Sequence, residues 1–133
     1  MRKQKIEIGI IVVDYNHPEE TLLFIKQLQD QAIKNSKIIV VANGSNNKSI
    51  NILKSSKMDF KLLEIEKNNG WTGGVNNGAK YLEKKYDTKY LLICSYDLII
   101  DKNCINFLID SIKDEENVAA VGPKVYYQSP KDV

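Results

Sequence analysis

Residues 90–102 read YLLICSYDLIIDK. Leu91, Leu92, Ile93 and Cys94 make a short apolar run of the kind that fills a strand buried on both faces. It breaks at Ser95, Tyr96 and Asp97 before Leu98, Ile99 and Ile100 resume. A carboxylate inside such a run is costly unless it meets a cation, accepts several hydrogen bonds, or sits at the open carboxyl end of the strand, where a ligand can reach it. The last placement, with a metal ion as the cation, is the expectation for Asp97. The plainer reading is a turn aspartate that caps the strand, and for an isolated Asp it is the commoner one. The ligand role gains weight from similar polar breaks elsewhere in the chain.

The first of these follows Ile6 to Val13 (IEIGIIVV), β-branched enough for a central strand, which runs into Asp14, Tyr15, Asn16, His17 and Pro18. Pro18 suits a first helical turn, and Glu19 and Glu20 favour its positive end. Leu22, Ile25, Leu28 and Ala32 then recur at helical spacing, so a helix is expected from Pro18 to Lys34. The pattern repeats. Lys37 to Ala42 (KIIVVA) reads as a second strand ending in the turn-rich Asn43, Gly44, Ser45, Asn46 and Asn47. A shorter helix follows through Ile50, Ile52 and Leu53, then a third strand from Phe60 to Ile65. Residues 68–78 read NNGWTGGVNNG, a glycine- and asparagine-rich loop around the single tryptophan, Trp71. Val75, Ala79, Leu82 and Tyr86 supply the inner face of the next helix. Beyond the opening stretch, Asn103 is placed to cap a helix with Ile105, Leu108, Ile109 and Ile112 on its apolar stripe. Val118 to Val121 begins another strand, closed by Gly122 and Pro123.

Strands alternating with helices imply an α/β fold, a three-layer α/β/α arrangement with a mostly parallel sheet in a single domain over residues 1–133. In such sheets ligands bind beyond the carboxyl ends of the strands. The clusters at Asp14 to Asn16, Asn43 to Ser45, Asn68 to Gly74 and Ser95 to Asp97 all fall there.

Composition narrows the class. The chain has 133 residues, 43% hydrophobic and 27% charged, with a formal charge of +2, which gives no argument for nucleic acid as a partner. No apolar run approaches the ~20 residues that span a bilayer, and no signal peptide is recognisable, so the expected location is the cytoplasm. The locally basic start, Arg2, Lys3 and Lys5, is compatible with peripheral contact at the inner face of a membrane. Cys94 and Cys104 lack metal-site spacing and read as inert thiols. His17 is the single histidine and reads as an exposed turn residue. No Ser/His/Asp or Cys/His set and no zinc set can be assembled around it. The glycine-rich loop carries neither GxxxxGK[ST] nor a GxGxxG register after the first strand. A flexible surface loop and a ligand-bordering loop remain equal readings of it. Trp71 is a packing anchor or a lid, and Tyr15 either stacks on a base or packs at the strand end.

The order VVDYN, VVANGS, NNGWTGGVNNGAKYL, LLICSYDLII, VGPKVY resembles the nucleotide-binding half of family 2 glycosyltransferases of the GT-A fold, nearest their rhamnosyltransferase-like branch. The likeness runs from Ile8 to Tyr127. Each motif is short, and the specificity lies in five of them in order. The resemblance implies a GT-A-like (nucleotide-diphospho-sugar transferase) domain, incomplete at this length and forming the amino-terminal portion of a glycosyltransferase. Asp14, Tyr15 and Asn16 would lie against the nucleotide base, and Asn43 and Ser45 at base or ribose. Asn69, Gly70, Gly74 and Asn76 would border the nucleotide. Ser95 and Asp97 match the metal motif, with Asp97 holding Mg²⁺ or Mn²⁺. Ala42 stands where an aspartate is common, and of the metal motif only the final acid remains. The implied reaction is metal-assisted, inverting transfer from a UDP- or dTDP-sugar to a saccharide or lipid-linked acceptor, as in cell-wall or polysaccharide biosynthesis. The catalytic residue is not identified, because the family's general base follows the GPK segment. The alternative is a catalytically silent GT-A-like binding or assembly module that dimerises through its uncovered side. A flavodoxin-like or receiver-like domain is a third reading, poorly matched because Asp14 has no second acid after the first strand.

Overall fold

Ile8, Ile10, Ile11, Val12 and Val13 give the first strand a β-branched run that is buried along its whole second half, which is possible only if strands flank it and helices cover it. The structure, a computed structural model, describes residues 2–126. In chain order it contains β1 (Gln4–Asp14), α1 (Pro18–Asp30), β2 (Ser36–Asn43), α2 (Asn47–Ser55), β3 (Lys61–Ile65), α3 (Gly70–Lys85), β4 (Tyr86–Ser95) and α4 (Cys104–Ile112). The four strands form one sheet in the order β3-β2-β1-β4, and every pairing is parallel.

The chain divides into two compact units, Met1–Ile100 and Asp101–Val133. The first holds the sheet with α1 to α3. Within the described residues the second holds α4, preceded by Asn103 at φ 64°.

Alternation along β2 sorts the two faces of the sheet. Ile39 and Val41 pack with Ile11, Val13, Val75 and Leu82 beneath α3. Val40 and Ala42 pack with Ile25 of α1 and Leu53 of α2 on the other side. The expected three-layer α/β/α architecture is therefore present, with an all-parallel sheet.

Helix α3 lies unusually close to β1. A Cβ at Gly74 would stand 2.7 Å from Val13 Cγ1, and one at Gly78 would stand 2.7 Å from Ile11 Cγ2. Both obstacles belong to β-branched side chains with little rotamer freedom. Gly78→Ala is accordingly expected to destabilise the domain by about 1–3 kcal/mol through overpacking, although alanine is the better helix former. Urea unfolding checks this, and an unchanged or raised midpoint would show that the helix simply moves outward.

Several expectations are corrected. Residues 70–78 are not a loop but the first two turns of α3, because glycine's poor helix propensity is offset by the close helix–sheet contact it permits. Tyr86 opens β4 instead of facing inward from the helix. Helix α1 stops at Asp30, short of Lys34, where Ala32 takes φ 50° and its N–H turns back to the Gln29 carbonyl at 3.0 Å. β4 is an edge strand, not one buried on both faces, and Leu91 and Ile93 are 51% and 45% exposed. Asn103 precedes α4 but its side chain makes no capping bond. Residues 118–121 form no strand, since a strand needs a partner for its backbone and the second unit supplies none among the described residues. Tyr127, where the sequence resemblance ends, lies outside the described residues.

Candidate functional site

The strands finish level with one another. Asp14 pairs with Ala42, Val13 with Ser95, and Asn43 with Ile65, so the four polar clusters leave the sheet along one rim. β2 and β3 are added on one side of β1, and β4 on the other. The crossovers therefore diverge between β1 and β4, the topological switch point where open parallel sheets leave a crevice beyond their carboxyl ends.

Asp14 is fully buried at this point. Its Oδ1 accepts from Thr21 Oγ1 at 2.8 Å and from the His17 N–H at 3.3 Å, and its Oδ2 accepts from Ser45 Oγ at 2.8 Å. The carboxylate thus fastens the β1 end to the first turn of α1 and to the loop after β2. Asn16 takes the left-handed conformation, φ 61°, which asparagine tolerates better than most residues. Its N–H donates to Ser45 Oγ at 3.2 Å, and its Oδ1 accepts from the Asn46 N–H at 2.8 Å. Asn46 in turn caps α2 by accepting from the Ser49 N–H at 2.9 Å.

A second knot ties β2 to the start of α3. Asn43 is buried, and its Nδ2 donates to Asn68 Oδ1 at 3.2 Å and to the Gly70 carbonyl at 2.9 Å. The Gly44 N–H donates to the Ile65 carbonyl at 2.8 Å. The mobile-loop reading of residues 68–70 thereby loses to a fixed one.

The third junction spans the switch point itself. The rings of His17 and Tyr96 stack with centroids 5.2 Å apart at 22°. Behind them, Gln27 of α1 holds the segment after β4, donating to the Leu98 carbonyl at 3.2 Å and accepting from the Ile100 N–H at 2.9 Å. Partial burial raises the Tyr96 phenol above its ordinary pKa, and the negative charges of Asp14, Asp97 and Glu20 push it the same way. The phenol therefore stays protonated and remains a hydrogen-bond donor at neutral pH.

Asp97 is exposed next to this stack and neither accepts a hydrogen bond nor pairs with a cation among the described residues. No group of three or more His, Cys, Asp or Glu side chains converges to hold a metal ion among the described residues. A lone carboxylate suits a hard cation such as Mg²⁺ only where further oxygens come from a phosphate ligand and water. The donor set fits a shared site, not a preformed one.

Of the residues singled out in the sequence, Tyr15, Asn16, Ser95 and Asp97 flank the switch point, with Tyr15 48% exposed. Asn43 and Ser45 stand at the rim with their polar groups turned to the protein. Asn69 and Gly70 are exposed at the α3 amino terminus, and Gly74 is buried against Val13. Asn76 lines a separate groove with Lys5, Lys80 and Leu91. Sequence reasoning placed Asn46 and Asn68 in the polar clusters without giving either a role, and it missed Thr21 and the His17–Tyr96 stack. Asn46 with Ser49 three residues on is a legible cap pattern, and Thr21 is a polar residue on the inner face of an amphipathic helix. The stack joins distant residues and leaves no local signal.

Comparison with known proteins gives this geometry a family. The chain is 25% identical over 121 residues to the poly-β-1,6-N-acetyl-D-glucosamine synthase of Staphylococcus epidermidis, an alignment covering 89% of this chain and 28% of that protein. It is 22% identical over 116 residues to the enzyme of the same name from Staphylococcus aureus, covering 86% and 27%. The chain thus spans little more than a quarter of the length of these relatives. The signature of the family described as "Glycosyl transferase family 2" spans residues 9–132, from within β1 past α4 and so nearly the whole chain. With that match along its length, the chain belongs to glycosyl transferase family 2.

Proposed function

We propose that this chain supplies the donor-binding part of a glycosyltransferase, holding a nucleoside diphosphate sugar beyond the β1 and β4 ends. The observation that carries the reading is Asp97, an exposed carboxylate without a partner among the described residues at the switch point of a parallel sheet. In the reaction an acceptor hydroxyl oxygen bonds to the anomeric carbon as the bond from that carbon to the diphosphate oxygen breaks. The diphosphate leaves with the bonding pair, the acceptor proton passes to a base, and the configuration inverts. Bound Mg²⁺ or Mn²⁺ supplies neutralisation of the charge that builds on the departing diphosphate. Asp97 would hold it, with Ser95 beside it. The Tyr96 phenol is placed to donate to an anionic ligand, and the α3 amino terminus favours negative charge at the same rim. Tyr15 offers an exposed ring to a base, while Asp14, Asn16, Asn43 and Ser45 keep the surrounding loops in place.

The relatives are named for making poly-β-1,6-N-acetyl-D-glucosamine, which favours an N-acetylglucosaminyl donor. The motif order favours a rhamnosyl donor instead. We assign the reaction to the cytoplasm, at the inner membrane face if the acceptor is lipid-linked. Thermal shift separates these readings. A donor at ten times its dissociation constant stabilises by about 1.4 kcal/mol, or roughly 3–6 °C for a domain of this size. UDP-N-acetylglucosamine and dTDP-rhamnose are compared with and without Mn²⁺. Asp97→Ala is expected to leave the melting temperature of the protein alone unchanged and to remove the Mn²⁺-dependent part of the shift. The absence of a shift with either nucleotide sugar would instead support the silent binding module, which Ala42 and the lone metal-motif acid favour.

A further inference from the structure

Asp97 lies between β4 and α4, in a stretch that belongs to neither element. Backbone outside helices and strands still has to satisfy its N–H and C=O groups, and the partners it finds decide how firmly it is held. Here they come from the region of α1. One residue before Asp97, the Tyr96 ring stacks on His17, which immediately precedes the helix. One residue after it, the Leu98 carbonyl accepts from Gln27 Nε2 at 3.2 Å, and the Ile100 N–H donates to Gln27 Oε1 at 2.9 Å. A single carboxamide thus takes up a C=O and an N–H two residues apart, as one residue of a neighbouring strand does in a parallel pair. Packing adds little to this hold, since Leu98 is 40% exposed and Ile99 75%. Gln27 is itself well anchored. Phe24, Ile25 and Leu28 beside it on α1 are buried, and Asp14 fastens the first turn of the helix to the end of β1. One helix therefore links the end of β1 to the segment that carries Asp97, across the switch point.

We infer that Gln27 is a positioning residue, which holds residues 98–100 against α1 so that the Asp97 carboxylate stays at the crevice beyond β1 and β4. This rests on the reading of Asp97 as the carboxylate that meets the donor's cation. Gln27 touches neither donor nor metal. It acts on the fraction of molecules in which Asp97 stands ready, and an apparent metal affinity scales with that fraction. The leverage is large because a lone carboxylate brings few oxygens to a cation shared with a diphosphate and water, so a swing of that one group removes the protein's part of the coordination. Contacts of the donor with Tyr15 and with the α3 amino terminus do not run through Gln27. Their contribution to binding is independent of it.

Titration of Mn²⁺ in thermal-shift measurements on the full chain, with UDP-N-acetylglucosamine or dTDP-rhamnose held constant, tests this. Gln27→Met keeps the length and helix preference of the side chain and removes both hydrogen bonds. It is expected to raise the Mn²⁺ concentration at half effect about tenfold, while the shift given by the nucleotide sugar without metal stays as in the unaltered chain. Gln27→Glu still accepts from the Ile100 N–H and should fall between the two. Amide exchange at Ile100 should be faster in Gln27→Met, with exchange in β1 and β2 unchanged. If Gln27→Met does not fold, Gln27→Glu decides, a response equal to that of the unaltered chain then overturning the proposal. A Mn²⁺ response that Gln27→Met leaves unaltered, an equal loss of metal-free binding, a Gln27→Glu protein no better than Gln27→Met, or unchanged exchange at Ile100 would each overturn the proposal and leave the donor reading standing. A chain whose melting temperature never responds to Mn²⁺ with either nucleotide sugar overturns that reading, and this proposal with it.

Discussion

Gly44→Ala is expected to lower the stability of the domain by about 3–4 kcal/mol, the sum of left-handed backbone strain for a residue with a Cβ and the displacement of packed neighbours. Gly44 sits at φ 80° directly after β2, where its N–H donates to the Ile65 carbonyl. A Cβ there would lie 2.3 Å from the Asn68 backbone nitrogen. That obstacle is main chain, so no rotamer change relieves it, and the connection from β3 into α3 must shift. Since Asn43 holds the same connection, the displacement should also loosen the amino terminus of α3. Urea unfolding gives the magnitude, and amide exchange locates it at residues 66–72. A loss below about 1 kcal/mol would mean that the loop absorbs the methyl group and that backbone conformation alone accounts for the glycine.

Asp14→Ala is expected to cost about 3 kcal/mol, as hydrogen bonds to a charged acceptor contribute roughly 1.5–3 kcal/mol each and part of that is returned when a buried charge is removed. The substitution strands the hydroxyls of Thr21 and Ser45 in the interior and removes one tie between the loop after β1 and the loop after β2, leaving those made by Asn16. Asp14→Asn keeps the shape and one acceptor oxygen, and the hydroxyls can rotate to meet an amide, so its loss should be less than half as large. The pair of variants separates two roles. If Asp14 acts by fixing the rim, Asp14→Asn should retain most of any nucleotide-dependent thermal shift in proportion to its stability. If the carboxylate meets the nucleotide directly, the shift should vanish in Asp14→Asn while the fold persists. The full burial of Asp14 favours the first outcome.

These two positions show why the sequence was readable in some respects only. Local periodicity and β-branched runs placed all four strands of the sheet and the start of α1, because the strands draw on apolar runs and Pro18 with Glu19 and Glu20 marks a helix entry. The glycines of residues 70–78 misled. Propensity alone reads them as loop, and their helical state depends on Ile11 and Val13, which lie on a strand some sixty residues earlier. A close approach of that kind has no local signature. The same holds for β4, whose apolar residues predict burial on both faces, although exposure depends on which strands exist to cover it.

The sequence by itself determined the α/β class, the alternation of elements and the positions of the polar breaks, since each of these follows from spacing within a few residues. Strand order, and with it the switch point between β1 and β4, came only from the tertiary structure. So did the inward turn of Asp14 and Asn43 and the outward turn of Asp97. The physical reason is that a polar side chain at a strand end can be satisfied by protein or left to solvent and ligand, and the choice depends on whether a distant segment brings it a partner. Thr21 and Ser45 do so for Asp14, Asn68 and Gly70 do so for Asn43, and no described residue does so for Asp97.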